Sequence, residues 1–215
     1  MKVSSIKLKI FFLIVNILFF GFGFSRRIPL RGIVEGFYGT PWTFEDRADL
    51  IKFCGEKKLN SYIYAPKDDP YHRNKWREQY PKDKIQELKN LIRLANEYKV
   101  KFIFAVSPGL DLNFIGEKAN KDFDSLMTKL NSIYNIGCRD FAVFFDDIKA
   151  GKDSGKNQAN FLNKLQETLN SKYSDINRLI TVPTDYTLYS MIDKEGNIRQ
   201  YTKDFSSGLI FLIFL

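Results

Sequence analysis

Short apolar runs alternate along the chain with segments whose apolar residues recur at helical spacing. Each run is typical of a buried strand and leads into polar or turn-forming residues. Strands are predicted within residues 32–39, 59–64, 101–106, 141–148 and 178–182. Helices are predicted from an N-cap at Thr43, and over about residues 81–98, 121–135 and 157–173. This alternation predicts an α/β fold with a parallel sheet and right-handed crossovers.

Two architectures fit five strand and helix units: an open doubly wound sheet and a closed (β/α)8 barrel. A complete barrel needs about 250 residues, more than the five units here supply. The last residues, 206–215, form an apolar tail without helical or alternating spacing. The tail is either a further strand or, as we favour, a sign that the chain is a fragment or an imperfect gene model.

Residues 1–25 have the parts of an export signal: a lysine-bearing start, an apolar run over residues 10–24 and a small pair, Gly23 and Ser25. The apolar run is short for a membrane span and suits a secretory signal peptide. We expect a signal peptide or an uncleaved signal anchor, and hence the secretory pathway or the extracellular space. Contact with a membrane is expected only through an uncleaved N-terminal segment.

The net charge of +8 does not indicate a nucleic-acid partner. Residues 1–31 contain six basic residues and no acid, so the remainder carries a net charge of only +2. With His72 as the single histidine, multi-histidine metal sites and histidine-activated nucleophiles are poorly supported. There is no Walker phosphate loop or dinucleotide fingerprint. Cys54 and Cys138 lie in apolar patterns and are interpreted as buried free thiols.

Carboxylates remain as the candidate acid and base. Asp146 and Asp147 directly follow the fourth predicted strand, at the strand end where barrels place reacting groups. Successive strand residues point to opposite faces, so both can serve one substrate only if the chain bends there. One of the pair would hold its proton as a general acid and the other would stay ionised. A metal-binding or helix-capping pair is the alternative.

Other candidate residues are ambiguous on their own. Composition favours a solvated loop lysine at Lys67. Gly36 is either a turn residue or a point where a ligand approaches the backbone. The role of Tyr186 is equally ambiguous from its place in the sequence. Three aromatic residues are either core residues or a wall on which a sugar stacks: Tyr38, Trp42 and Tyr64.

Taken together, several segments resemble glycoside hydrolase family 84, the β-N-acetylglucosaminidases that include protein O-GlcNAcases and hyaluronidase-like enzymes. They occur in the family's order and at similar separations over about residues 32–190. The segments are GIVEGFYGTPW (32–42), LNSYIYAPKDD (59–69), SPGLD (107–111), GCRDFAVFFDDI (137–148) and PTDY (183–186), with His72-Arg73 and Trp76-Arg77-Glu78.

The resemblance implies that residues 32–205 form the N-terminal part of a (β/α)8 TIM-type catalytic barrel. It implies a retaining enzyme that needs no cofactor, in which the 2-acetamido group of the sugar attacks the anomeric carbon and forms an oxazoline. On the family pattern, Asp146 orients and polarises the acetamido N–H, and Asp147 is the general acid and base. Gly36 and Lys67 would hydrogen-bond the sugar, and Tyr186 would line the acetamido pocket.

The implied partner is a protein or glycan that carries N-acetylglucosamine. Nothing after Tyr186 matches the family's later sugar-binding residues, so a truncated, non-catalytic sugar-binding or vestigial homologue is the alternative. A less favoured alternative is a metal hydrolase that uses four aspartates: Asp68, Asp69, Asp146 and Asp147. The leader departs from the pattern of the animal enzymes, which are nucleocytoplasmic. A nucleocytoplasmic location stays open as an alternative.

Overall fold

The computed structural model describes residues 28–209 and 213–214, and its centre is one sheet of parallel strands in the order β1 to β6. The predicted leader, over residues 1–25, and residues 210–212 and 215 of the apolar tail lie outside the described residues. The strands are Gly32–Glu35 (β1), Ser61–Tyr64 (β2), Lys101–Val106 (β3), Asp140–Phe144 (β4), Ile180–Val182 (β5) and Ile213–Phe214 (β6).

Helices follow the first five strands. They are Phe44–Glu56 (α1), Lys82–Glu97 (α2), Gly116–Asn135 (α3), Ser154–Lys172 (α4), Leu188–Met191 (α5) and Gln200–Gly208 (α6). Thr43 caps α1 as predicted, in a capping box with Asp46. Two starts were predicted too late, α3 at residue 121 and α4 at residue 157, because their first turns are polar and the helical spacing of apolar residues begins only further on.

Strand order distinguishes the two candidate architectures. Each strand pairs in parallel with the next one along the chain, from β1 through β5 to Ile213–Phe214. A doubly wound sheet would reverse this order at a switch point, whereas a barrel wall keeps it. The described residues therefore form part of a (β/α) barrel of the TIM type, as the fold prediction stated.

The two faces of the sheet bury different side chains, because successive strand residues point to opposite sides. Tyr62 and Tyr64 of β2 pack outward with the helices, in the larger apolar cluster. Ile63 of β2 points inward, into a smaller cluster that includes Ile103 and Ala142. The inner cluster lies where a barrel interior is filled by side chains, and it supports the strand ends that carry the candidate site.

The two cysteines are buried free thiols, as predicted. Burial raises the pKa of Cys138 to about 12, so this thiol is not a nucleophile. None of the helices that the structure describes is both long enough and apolar enough to cross a membrane.

Candidate active site

The predicted acidic pair lies at the carboxyl end of the sheet, just beyond β4. Phe145 continues the strand, and its N–H donates to the carbonyl of Val182 over 2.8 Å. The chain then turns, because Asp147 has a left-handed backbone with φ of 57°. This is the bend that two adjacent carboxylates need in order to face one pocket.

Lys67 joins the pair from the loop after β2. Its Nζ donates to Asp146 Oδ2 over 2.6 Å and lies 3.7 Å from Asp147 Oδ2. The lysine is buried, with a side chain only 2% exposed. The interpretation of Lys67 as a solvated loop lysine was therefore wrong, because two carboxylates that follow another strand compensate its charge.

Two tyrosines from other strand ends hold the carboxylate of Asp147. Tyr38 donates its hydroxyl hydrogen to Oδ2 over 2.9 Å, and Tyr186 donates to Oδ1 over 3.1 Å. Partial burial raises the pKa of Asp147, but these hydrogen bonds and the charges of Lys67 and Arg73 outweigh it, so the pKa is lowered. In this structure, Asp147 is thus the carboxylate that hydrogen bonds keep ionised.

The surroundings of the two acids differ. Those of Asp147 favour its charged form in the protein without ligand, and its role as general acid stays a prediction. Asp146 differs in another respect: its Oδ1 is buried and has no hydrogen-bond partner among the described residues. An unpaired buried carboxylate oxygen is costly, so it indicates an acceptor for a donor from outside the chain.

The loop over residues 65–80, which follows β2, buries half of its residues in the protein. Asp69 accepts hydrogen bonds from the hydroxyls of Tyr64 at 2.5 Å and Tyr80 at 2.8 Å. Lys129 of α3 enters the same cluster and donates to the carbonyl of Tyr71. Burial lowers the pKa of Lys129 to about 8. These contacts fix the loop that carries Lys67.

A second buried ion pair supports the end of β1. Arg47 of α1 makes two hydrogen bonds of 2.9 Å to Glu35, which also accepts from the hydroxyl of Tyr62 over 2.6 Å. The backbone N–H of Trp42 donates to Glu35 as well, over 3.1 Å. The segment that carries Tyr38 is therefore anchored at both of its ends. Sequence reasoning did not find this cluster.

Of the remaining predicted residues, some lie at the site and others pack in the structure that supports it. Tyr64 is a core residue, Trp42 packs against Phe37, and Tyr38 is exposed at the site. Gly36 lies just beyond β1, at the same edge of the sheet as the acids, and is exposed. A Cβ at Gly36 would meet only the Val34 side chain, at 3.2 Å, so the chain itself does not require glycine there.

The four-aspartate metal cluster is not formed in the described part of the chain. Asp68 accepts a hydrogen bond from the backbone N–H of Gly39, and Asp69 accepts hydrogen bonds from the hydroxyls of Tyr64 and Tyr80. Among residues 28–209 and 213–214, no group of three or more histidine, cysteine or acidic residues could hold a metal ion.

Known proteins resemble the chain over most of its described part. The sequence model of the β-N-acetylglucosaminidase family matches residues 31–209. Protein O-GlcNAcase of Rattus norvegicus and of Mus musculus are each 47% identical to the chain over 126 residues. These matches cover 59% of this chain and 13% of each relative, so the chain spans only a small part of their length.

Two solved structures share the fold and much of the sequence. CpGH84B superposes with a TM-score of 0.80 at 48% identity, over 85% of this chain and 32% of that one. A mutant of the O-GlcNAc hydrolase of Thermobaculum terrenum gives 0.73 at 33% identity, over 85% of this chain and 39% of that one. Because the family model covers most of the chain and the predicted motifs meet at one strand edge, the chain belongs to the β-N-acetylglucosaminidases of glycoside hydrolase family 84.

Proposed function

We propose that the protein is a retaining β-N-acetylglucosaminidase that removes terminal N-acetylglucosamine from serine or threonine of proteins, or from related glycans. The reaction is substrate-assisted and passes through an oxazoline. The observation that carries the proposal is the buried, unpaired Oδ1 of Asp146, next to an oxygen that Lys67 already holds.

Asp146 has one carboxylate oxygen available to accept a hydrogen bond from a substrate. Lys67 donates to Oδ2, and Oδ1 accepts the N–H of the 2-acetamido group. This hydrogen bond orients the acetamido group and increases electron density on its carbonyl oxygen, which attacks the anomeric carbon. A sugar with a hydroxyl at C2 has no such nucleophile and would not react.

Asp147 is the proposed general acid and base. A bound sugar that excludes water from the Asp147 carboxylate would raise its pKa and let it carry a proton. The proton passes to the leaving oxygen as the glycosidic bond breaks. The ionised Asp147 is then stabilised by Lys67, 3.7 Å away, until it takes a proton from the water that opens the oxazoline.

The space beside Asp147 suits the leaving group. An open cavity of about 540 Å³ lies against Asp147 and is also lined by Gly109, Leu110, Ile148 and Lys149. This volume is within the range of small-molecule sites. On the other side, Gly36, Lys67 and Tyr186 are proposed to hold the sugar, with Tyr186 lining the acetamido pocket.

The proposed partner is a protein or glycan that carries N-acetylglucosamine. Export through the N-terminal leader, over residues 1–25, is proposed on its sequence pattern alone. A tagged protein expressed in its own cells should be found in the secretory pathway or the medium. A nucleocytoplasmic signal would overturn the proposed location and leave the proposed chemistry untouched.

The test is hydrolysis of chromogenic glycosides by the protein as expressed from its own gene. We expect release of 4-nitrophenol from the N-acetyl-β-glucosaminide and none from the matching β-glucoside. Asp147→Asn should lose activity, and should lose less of it with a 2,4-dinitrophenyl leaving group, which needs little protonation. Hydrolysis of both glycosides would contradict substrate assistance. Binding of the sugar without hydrolysis would favour the alternative, a non-catalytic sugar-binding homologue.

A further inference from the structure

Arg73 is a buried cation that lies near the partly exposed carboxylate of Asp147 without a hydrogen bond to it in the described part of the chain. Its side chain follows His72 in the loop over residues 65–80, and the residue is only 7% exposed. Within residues 28–209, its hydrogen bonds go to neutral oxygens: Nη1 donates to the Ser107 hydroxyl over 3.4 Å and Nη2 to the main-chain carbonyl of Asp147 over 3.3 Å. Burying a guanidinium in this way is costly, so its contacts call for a function.

The carbonyl that Arg73 holds belongs to the residue with the unusual backbone. Asp147 has φ of 57°, in the left-handed region that residues other than glycine seldom adopt. Such a conformation persists only where its surroundings enforce it. The Arg73 guanidinium contacts the carbonyl of this residue, and the carboxylates of Asp146 and Asp147 both lie near Lys67 Nζ.

The base of Arg73 is itself fixed to the sheet. His72 Nδ1 lies 2.8 Å from the carbonyl of Ala105 and, because a carbonyl only accepts, Nδ1 carries the hydrogen. The N–H of Ser107 donates to the carbonyl of His72 over 2.9 Å. Burial lowers the pKa of His72 to about 4, so the ring is neutral at neutral pH.

Arg73 also supports the side chain of Asp147 through Tyr38. The guanidinium carbon lies 5.8 Å from the centre of the Tyr38 ring, at the range of a cation–π contact. The hydroxyl of the same tyrosine donates to Asp147 Oδ2 over 2.9 Å. One arginine thus contacts the main chain of Asp147 directly and its carboxylate through a tyrosine that is otherwise 56% exposed.

We propose that Arg73 is a positioning residue: it holds the left-handed backbone of Asp147 and steadies Tyr38, so that the Asp147 carboxylate faces the bound sugar. The catalytic part of this inference rests on the proposed function, in which Asp147 acts on the leaving oxygen. The structural part, that Arg73 sets the conformation at Asp147, does not depend on it.

The kinetic test compares variants of Arg73 in the protein as expressed from its own gene. Arg73→Ala should lower kcat by about 10²-fold, the cost of misplacing a catalytic group by about 1 Å, with KM little changed. Free guanidinium at low, non-denaturing concentration should restore part of this loss. Arg73→Lys keeps the charge but cannot hold both oxygens, so kcat should stay low. Full kcat in Arg73→Lys would overturn the proposal, because charge alone would then suffice.

The matched control is Arg77→Ala, in the same loop. Arg77 binds Asp111 and Asp122 and makes no hydrogen bond to Asp147 among the described residues. Its kcat should stay within a few-fold of the wild type, without response to guanidinium. An equal loss of kcat in Arg77→Ala would mean that loosening of the loop explains both variants, and would overturn the proposal.

A structural readout separates this proposal from the proposed function. In a crystal structure of Arg73→Ala, φ at Asp147 should leave the left-handed region and the Tyr38 hydrogen bond should be lost. Should that variant not fold, Arg73→Met fills the same space without the donors and serves instead. An unchanged Asp147 backbone in either variant overturns the inference. A wild type that hydrolyses no N-acetylglucosaminide overturns the proposed function and leaves this structural test intact.

Discussion

Replacing Lys67 by methionine removes the cation between Asp146 and Asp147 and leaves both acidic side chains in place. Lys67 Nζ lies 2.6 Å from Asp146 Oδ2 and 3.7 Å from Asp147 Oδ2. Removing one partner of a buried ion pair costs about 3–5 kcal/mol, since the other charge is left buried and uncompensated. Because the carboxylate side chains keep 16% and 32% of their exposure, we expect the lower end, about 3 kcal/mol.

The loss should depend on pH. The charge of Lys67 contributes to lowering the pKa of Asp147 in the folded protein. Stabilisation from a lowered carboxylate pKa is fully present above the unfolded value, about 3.9, and is lost as the pH falls through the folded value. The free energy of unfolding of Lys67→Met should therefore be about 3 kcal/mol below the wild type at pH 7, and the two should approach each other as the pH falls below the unfolded carboxylate value of about 3.9.

Urea unfolding followed by tryptophan fluorescence measures this difference, since Trp76 is fully buried. Lys84→Met is the control: its side chain is 51% exposed and pairs, among the residues that the structure describes, with Glu87 one turn away, so its change should be at most about 1 kcal/mol. Equal stability of Lys67→Met and wild type at pH 7, or a loss that persists in acid, would refute the ion-pair reasoning.

Three further changes test other parts of the structure. Tyr38→Phe removes a hydrogen bond that lowers the pKa of Asp147, so the alkaline limb of the pH–rate profile should move to higher pH; an unmoved limb would exclude Asp147 as the titrating acid. Burial lowers the pKa of Lys129 from 10.5 to about 8. As the pH rises between those two values, the wild type should therefore gain stability relative to Lys129→Met. A stability difference that does not change with pH would contradict a buried charge. A Cβ at Gly155 would lie 2.3 Å from the carbonyl of Tyr201, so Gly155→Ala should lower the free energy of unfolding by about 1–3 kcal/mol, with an unchanged melting temperature as the contrary result.

The place of the acidic pair follows from the alternation of strands and helices, because parallel strands end at one edge and barrels carry reacting groups there. Lys67 and Tyr186 were assigned to the same site only through the resemblance to the family. The strand pattern also anticipated a bend at the acidic pair, and the left-handed Asp147 supplies it.

The parts that were missed depend on contacts between residues far apart in the chain. Lys67 looks like a surface residue by composition because its partner Asp146 comes 79 residues later. The cluster around Glu35 was likewise missed, since its partners Arg47 and Tyr62 come 12 and 27 residues later in the chain. The protonation of Asp147 could not be inferred from a strand pattern, because it depends on two hydroxyls and the distances to them.

The most direct test of the central claim is a crystal structure with a thiazoline analogue of N-acetylglucosamine, a stable mimic of the oxazoline. We expect its ring nitrogen within about 3.2 Å of Asp146 Oδ1, the oxygen that has no partner among the described residues, with the anomeric carbon facing Asp147. An analogue bound with that nitrogen turned away from Asp146, or bound elsewhere on the protein, would contradict the assignment of the acidic pair.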